Sequence, residues 1–206
     1  MSAHPGRRGP RWGSTFTLAM YTLLLLGCAD LRAEGLRLVG CADACGHTRF
    51  AEPLDCDADY NTDPPVACLT GTLSCGDEVL GTTAGGDSNW GDDFYAGAFC
   101  FPAGDRHSGP ERVFRLELPA YTQATISLQS DCEDLDLAAV AWAYDGRCPT
   151  PEHRIAECEG GVARGGEEVH VETLGNARGY LLGVDGKAGV TAPFRLRVEC
   201  SPLKAH

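Results

Sequence analysis

ERVFRLELPAYTQATISLQSDCEDLDLAAVAW, residues 111–142, is the stretch whose reading decides the fold. In Glu111 to Leu118, Phe114, Leu116 and Leu118 alternate with Arg115 and Glu117. In Tyr121 to Gln129, Ala124, Ile126 and Leu128 alternate with Thr125 and Ser127. A period of two with one apolar and one wet face is the mark of half-buried antiparallel strands. Pro119-Ala120 separates the two strands, because proline cannot continue a ladder. The third segment, Asp134 to Ala143, is apolar on both faces after its start and so belongs inside a sheet. By the same alternation with Val140, Trp142 is expected in the core.

Working outward, further strands are predicted around Gly76 to Thr83, Glu167 to Glu172, Gly179 to Val184 and Ala192 to Cys200. No long stretch keeps a helical period, and glycine-rich turns such as Asp185-Gly186-Lys187-Ala188-Gly189 separate the strands. The expected fold is an all-β, disulfide-rich antiparallel β-sandwich of jelly-roll type. Ahead of it, residues 28–74 are turn-rich and poor in periodic apolar runs, with Cys41, Cys45, Cys56 and Cys68 to hold them. The division is a signal peptide at 1–27, a Cys-rich segment at 28–74, the sandwich at 75–200 and a tail at 201–206.

Arg7, Arg8 and Arg11 precede the short apolar run Leu18 to Leu26, the pattern of a signal peptide. The run ends in Leu25-Leu26-Gly27-Cys28, which resembles a bacterial lipobox and implies acylation of Cys28. Ala29 after it suggests outer-membrane sorting, and ordinary cleavage after Ala29 is the alternative, giving a secreted or periplasmic protein. Either way ten cysteines remain, enough for five bridges in an oxidising compartment. Cys148 with Cys158, Cys75 with Cys100, and Cys132 with Cys200 are the expected pairs, and the four N-terminal cysteines would pair among themselves. Cys41, Cys45 and His47 with Cys68 and Cys75 fit no standard zinc spacing, and export favours bridges over thiolates.

Removing residues 1–27 takes away three arginines and no acid, so 17 basic residues become 14 against 29 acidic and the formal charge moves from −12 to −15. Such a surface repels nucleic acid.

The succession Cys75-Gly-Asp-x-Val-x-Gly-x-Thr83, Glu111-x-Val-Phe-Arg-Leu, Ala124-Thr-Ile-Ser-Leu128, Asp134-Leu-Asp-Leu137, Tyr180-Leu-Leu-Gly-Val-Asp-Gly186 and Phe194-x-Leu-x-Val resembles the bacterial pre-peptidase C-terminal (PPC) domain. The resemblance covers about residues 75–200 and implies a β-sandwich accessory module used in secretion, substrate contact or surface display. Here no peptidase accompanies it.

Catalysis would need a nucleophile, a base and an orienting group. His47, His107, His153 and His170 are available, but no Gly-x-Ser-x-Gly or His-Glu-x-x-His frame is present. His107 reads as part of a polar loop, and His170 as the solvent face of a strand. The loop aromatics Trp90, Phe94 and Tyr95 are candidates for an exposed binding patch. Asp134 and Asp136, two residues apart at a strand start, with Asp185 before a turn, are candidate calcium ligands; no other cofactor is implied. The expected function is a non-catalytic binding, adhesive or scaffolding module at the bacterial cell envelope. It would be held to the membrane by a lipid anchor and take a protein or polysaccharide partner. The alternative is a secreted hydrolase of unrecognised type using the acidic loops.

Overall fold

Two sheets carry the alternation read from residues 111–142. The computed structural model describes residues 50, 52–98, 100, 107–161 and 166–203, within the unit Gly46–His206. The predicted signal peptide and Cys28, Cys41, Cys45 and His47 lie outside the described residues. In chain order the elements are β1 (Leu69–Leu73), β2 (Glu78–Thr82), α1 (Asp92–Ala98), β3 (Arg112–Leu118), β4 (Thr122–Gln129), β5 (Leu135–Ala141), β6 (Cys158–Gly160), β7 (Gly166–Thr173), β8 (Arg178–Gly186) and β9 (Pro193–Pro202). One sheet has the order β1-β3-β8-β5-β6 and the other β2-β9-β4-β7. Every pairing is antiparallel except β1 with β3, which is parallel. Strand β1 lies ahead of Cys75, so the sheet begins inside the segment that the sequence reads as an appendage.

Between the sheets lies a core that includes Leu116, Ile126, Leu128, Leu137, Leu182, Phe194 and Leu196, all fully buried. Strand β5 is interior, between β8 and β6, as its two apolar faces require. Leu135, Leu137 and Ala139 face the inter-sheet core. Ala138 and Val140 face a second core on the outer side of the five-stranded sheet. That second core is closed by the loop aromatics and α1: Trp90 stacks on Phe94 with centroids 4.7 Å apart, and Tyr95 stands edge-on to both. Trp90 presses so close to β8 that a Cβ on Gly183 would sit 2.8 Å from its ring. A strand glycine here lets the indole reach the sheet.

The disulfides correct the predicted connectivity. They are Cys56–Cys132, Cys68–Cys148, Cys75–Cys200 and Cys100–Cys158. None of the expected pairs Cys148–Cys158, Cys75–Cys100 or Cys132–Cys200 forms, and Cys56 and Cys68 do not pair with N-terminal partners. Proximity in sequence misled because the sheets bring remote segments together. Cys158 stands opposite Val140 on the outer-core side, where Cys100, two positions beyond α1, meets it. Cys200 stands opposite Ala124, and the Cys75 turn returns to β9 through Gly76 N–H donating to the Val198 carbonyl at 2.8 Å.

Two bridges thus fasten residues 50–74 to the sandwich. Polar straps do the same: Leu54 N–H donates to Asp131, and the buried Arg112 guanidinium donates to the Asp63, Thr82 and Ala84 carbonyls. Burial lowers the pKa of Arg112. A charged side chain is tolerated inside because three carbonyls satisfy its donors.

Candidate functional site

Strand β5 stops at Ala141, so Trp142 leaves the alternation that would have placed it in the core. It is half-buried and packs on the edge of the outer core, a correction to the sequence reading. Asp145-Gly146-Arg147 then turns the chain, with Gly146 at φ 100°. The turn is fixed by the Trp142 indole N–H, which donates to the Arg147 carbonyl at 2.9 Å. His153 stands edge-on to Trp142, centroids 5.1 Å apart, and its Nδ1 accepts from the Thr150 N–H at 3.0 Å. These residues line an open groove of about 820 Å³ together with Asn89, Pro149 and the Cys68–Cys148 bridge.

The groove is preformed. Beyond the disulfide, the Trp90 indole N–H donates to the Pro149 carbonyl at 3.2 Å, and the Tyr144 hydroxyl to the Ala67 carbonyl at 3.2 Å. Ala67 and Cys68 are held at φ 48° and 73°, a conformation that residues other than glycine adopt at a cost. At the mouth, Asp145 and Arg147 are exposed and paired at 3.0 Å. Arg147 beside it holds the Asp145 carboxyl below the usual range.

A polar cluster lies buried where α1 covers the sheet. Asp136 and Asp185 are register partners on β5 and β8. His107 is only 2% exposed, and its Nε2 lies 2.8 Å from Asp136 Oδ2. Its backbone N–H donates to Asp92 at 2.6 Å, and its ring stands 5.1 Å from the Tyr95 ring. Asp185 is fully buried and accepts the Gly186 N–H at 2.6 Å. Burial pushes its carboxyl up to about 7; Glu111 adds repulsion, while the Gly186 amide, the Tyr95 hydroxyl and His107 pull it back. Burial, then the Asp185 charge, raises Tyr95 well above its ordinary value. Glu111 is raised by burial against the opposing amides of Asn89 and Trp90, which donate to it at 2.7 and 3.2 Å.

The sequence-predicted residues fall differently from expectation. Trp90, Phe94 and Tyr95 are each 1% exposed, so they form a core and no surface patch. Of the candidate calcium ligands, Asp136 and Asp185 come together, but Asp136 engages His107 and Asp134 pairs with Lys187 at 3.2 Å. Among the described residues, no group of three or more His, Cys, Asp or Glu side chains could hold a metal ion. Cys68 and Cys75, invoked for zinc, are in disulfides. His170 is exposed on β7, as its alternation implies, whereas His107 is buried. Reading by period missed the groove. The available signal was turn chemistry, Asp145-Gly146 followed by Pro149 and Pro151, directly after a tryptophan.

No protein-family model matches the chain, and no curated protein matches it. Among solved structures it is similar to the pre-peptidase C-terminal domain of a collagenase from Bacillus anthracis, with 11% identity and a TM-score of 0.38 over 63% of this chain and 93% of that one. It is also similar to PliG of Aeromonas hydrophila, a periplasmic inhibitor of g-type lysozyme, with 10% identity and a TM-score of 0.36 over 64% of this chain and 96% of that one. At these scores neither likeness bears on function.

Proposed function

We propose that this protein is an exported, non-catalytic binding module of the bacterial envelope that takes its ligand in the Trp142 groove. Four disulfides among the described residues fit an oxidising compartment. The observation that carries the binding reading is the preformed groove itself. An open, partly apolar concavity of about 820 Å³ lies within the roughly 300–1,000 Å³ usual for ligand sites, and a rigid frame lowers the entropy cost of binding. The lipobox-like Leu25-Leu26-Gly27-Cys28 supports an anchor at Cys28, tested by mass spectrometry of the mature N-terminus. The hydrolase alternative has its best foothold in His107 and Asp136, but Tyr95 of α1 stands against the imidazole and neither residue lines the Trp142 groove.

The test is affinity capture from envelope extracts with the disulfide-intact protein and with Trp142→Ala as parallel baits. Material retained by the first and lost from the second supports the reading. Retention indifferent to Trp142 places recognition elsewhere and refutes the groove.

A further inference from the structure

Resting on that reading, we infer that the ligand class is a neutral saccharide, with a pyranose ring seated on Trp142 and hydroxyls held by Asp145 and Arg147. The inference comes from what the groove offers chemically. The Trp142 N–H is committed to the Arg147 carbonyl, so the side chain presents its ring and no donor. An indole face carries partial negative charge and attracts weakly positive groups laid across it. The C–H face of a pyranose is such a group, being apolar, flat and slightly positive.

The polar partner of the ring is the Asp145–Arg147 pair. The two side chains are 59% and 83% exposed at the groove mouth. Together they present acceptor-only oxygens beside a fork of donors. Adjacent sugar hydroxyls, each a donor and an acceptor, can bridge such a pair without disturbing its net neutrality. His153 adds a third contact of the same kind. Because its Nδ1 accepts the Thr150 N–H, the neutral ring carries its proton on Nε2 and donates from there.

The same features disfavour other ligands. Net charge −12 opposes a phosphorylated, sulfated or nucleic-acid ligand. A proline-rich peptide also docks on aromatic-lined grooves; here the indole N–H is committed to the Arg147 carbonyl, so its carbonyls would have only the Arg147 and His153 donors. A lysine-rich partner would find more charge in the other groove, where Glu157, Glu159 and Glu172 line the wall.

The experiment titrates the disulfide-intact protein with cellotetraose, maltotetraose and tetra-N-acetylchitotetraose, and separately with a proline-rich decapeptide. Tryptophan fluorescence and ligand-observed NMR report binding. At least one tetrasaccharide is expected to bind saturably. Trp142→Ala should weaken it tenfold or more, Arg147→Ala severalfold, and Glu172→Gln, in the acidic groove, not at all. Trp142→Tyr, which keeps an aromatic face and the fold, should retain part of the affinity, separating loss of stacking from loss of structure. Saturable binding of none of the three sugars, or sugar binding unmoved by Trp142→Ala, overturns the inference. Peptide binding that depends on Trp142, with no sugar binding, overturns the saccharide assignment and leaves the binding module standing. If capture also shows no Trp142-dependent ligand, the functional reading falls as well.

Discussion

Replacing Asp185 by asparagine should make the protein more stable at neutral and alkaline pH. The Asp185 carboxyl is fully buried on β8 opposite Asp136, with a folded pKa of about 7 against roughly 3.9 for an unfolded aspartate. A folded pKa above the unfolded value means that the folded state holds its proton more tightly. The contribution of Asp185 is therefore fully present below about pH 4 and is lost as pH rises to about 7. Three pH units at about 1.36 kcal/mol each give a loss of roughly 4 kcal/mol above pH 7. Asparagine never ionises, and its side-chain oxygen can still accept the Gly186 N–H. Asp185→Asn should thus match the wild type near pH 4 and exceed it by up to about 4 kcal/mol at pH 8, roughly 8–16 °C in Tm. Urea denaturation with disulfides intact, at half-unit steps from pH 4 to 8, measures this directly. Equal pH slopes for the two proteins would refute the argument, since they require an Asp185 that ionises normally in the fold.

Further outcomes follow from the packing. Gly183→Ala should destabilise by about 1–3 kcal/mol, because the new methyl meets the Trp90 ring at 2.8 Å; near-ultraviolet circular dichroism and melting would register a displaced indole. Non-reducing peptide mapping should link Cys68 to Cys148, and replacing both by serine should cost about 2–5 kcal/mol and loosen the groove; a Cys148–Cys158 peptide would contradict this fold. Millimolar calcium should leave the melting temperature unchanged, because Asp136 and Asp134 are engaged by His107 and Lys187; calorimetric heat that disappears in Asp136→Asn would show otherwise.

How much was legible follows from which interactions leave a period. Strands β3, β4 and β9 were readable because one face is apolar and meets the core while the other carries polar side chains, although Ser127 and Gln129 on β4 are buried. Strand β1 was not, since Leu69–Leu73 is a five-residue edge strand with a threonine-glycine-threonine centre. The seven-residue α1 is too short to show a helical repeat, and Phe94 and Tyr95 face its core from adjacent positions. Glu111 and Arg112 are charged residues, yet each is buried. Their partners, the amides of Asn89 and Trp90 and the carbonyls of Asp63, Thr82 and Ala84, come from segments no local pattern links to them. The groove was equally hidden, for its rim comes from Cys68, Asn89 and residues 142–153.

That hidden burial also weighs against the His107–Asp136 pair as a catalytic site. His107 beside Asp136 has the spacing of a base held by an orienting carboxylate. A working base, however, must reach a proton on a substrate. Tyr95 stands against the imidazole, Asp92 holds its backbone, and the paired strands β5 and β8 supply Asp136 and Asp185 beneath it. A substrate approaching from the Tyr95 side would have to displace that ring, and moving Tyr95 opens the outer core it shares with Trp90 and Phe94. The groove at Trp142 needs no such opening. Its frame is already closed behind it by Cys68–Cys148 and by the Trp90 bond to Pro149, so the second core underlies the proposed binding surface. On the proposed reading the aromatic loop would contribute to recognition indirectly, by holding Pro149 and its neighbours in place. Trp90→Phe, which keeps the apolar bulk but removes the N–H that Pro149 accepts, should weaken ligand capture at the groove by a few-fold while lowering stability by only about 1–2 kcal/mol. Capture unchanged in Trp90→Phe would mean that the Trp90 bond to Pro149 does not set the groove.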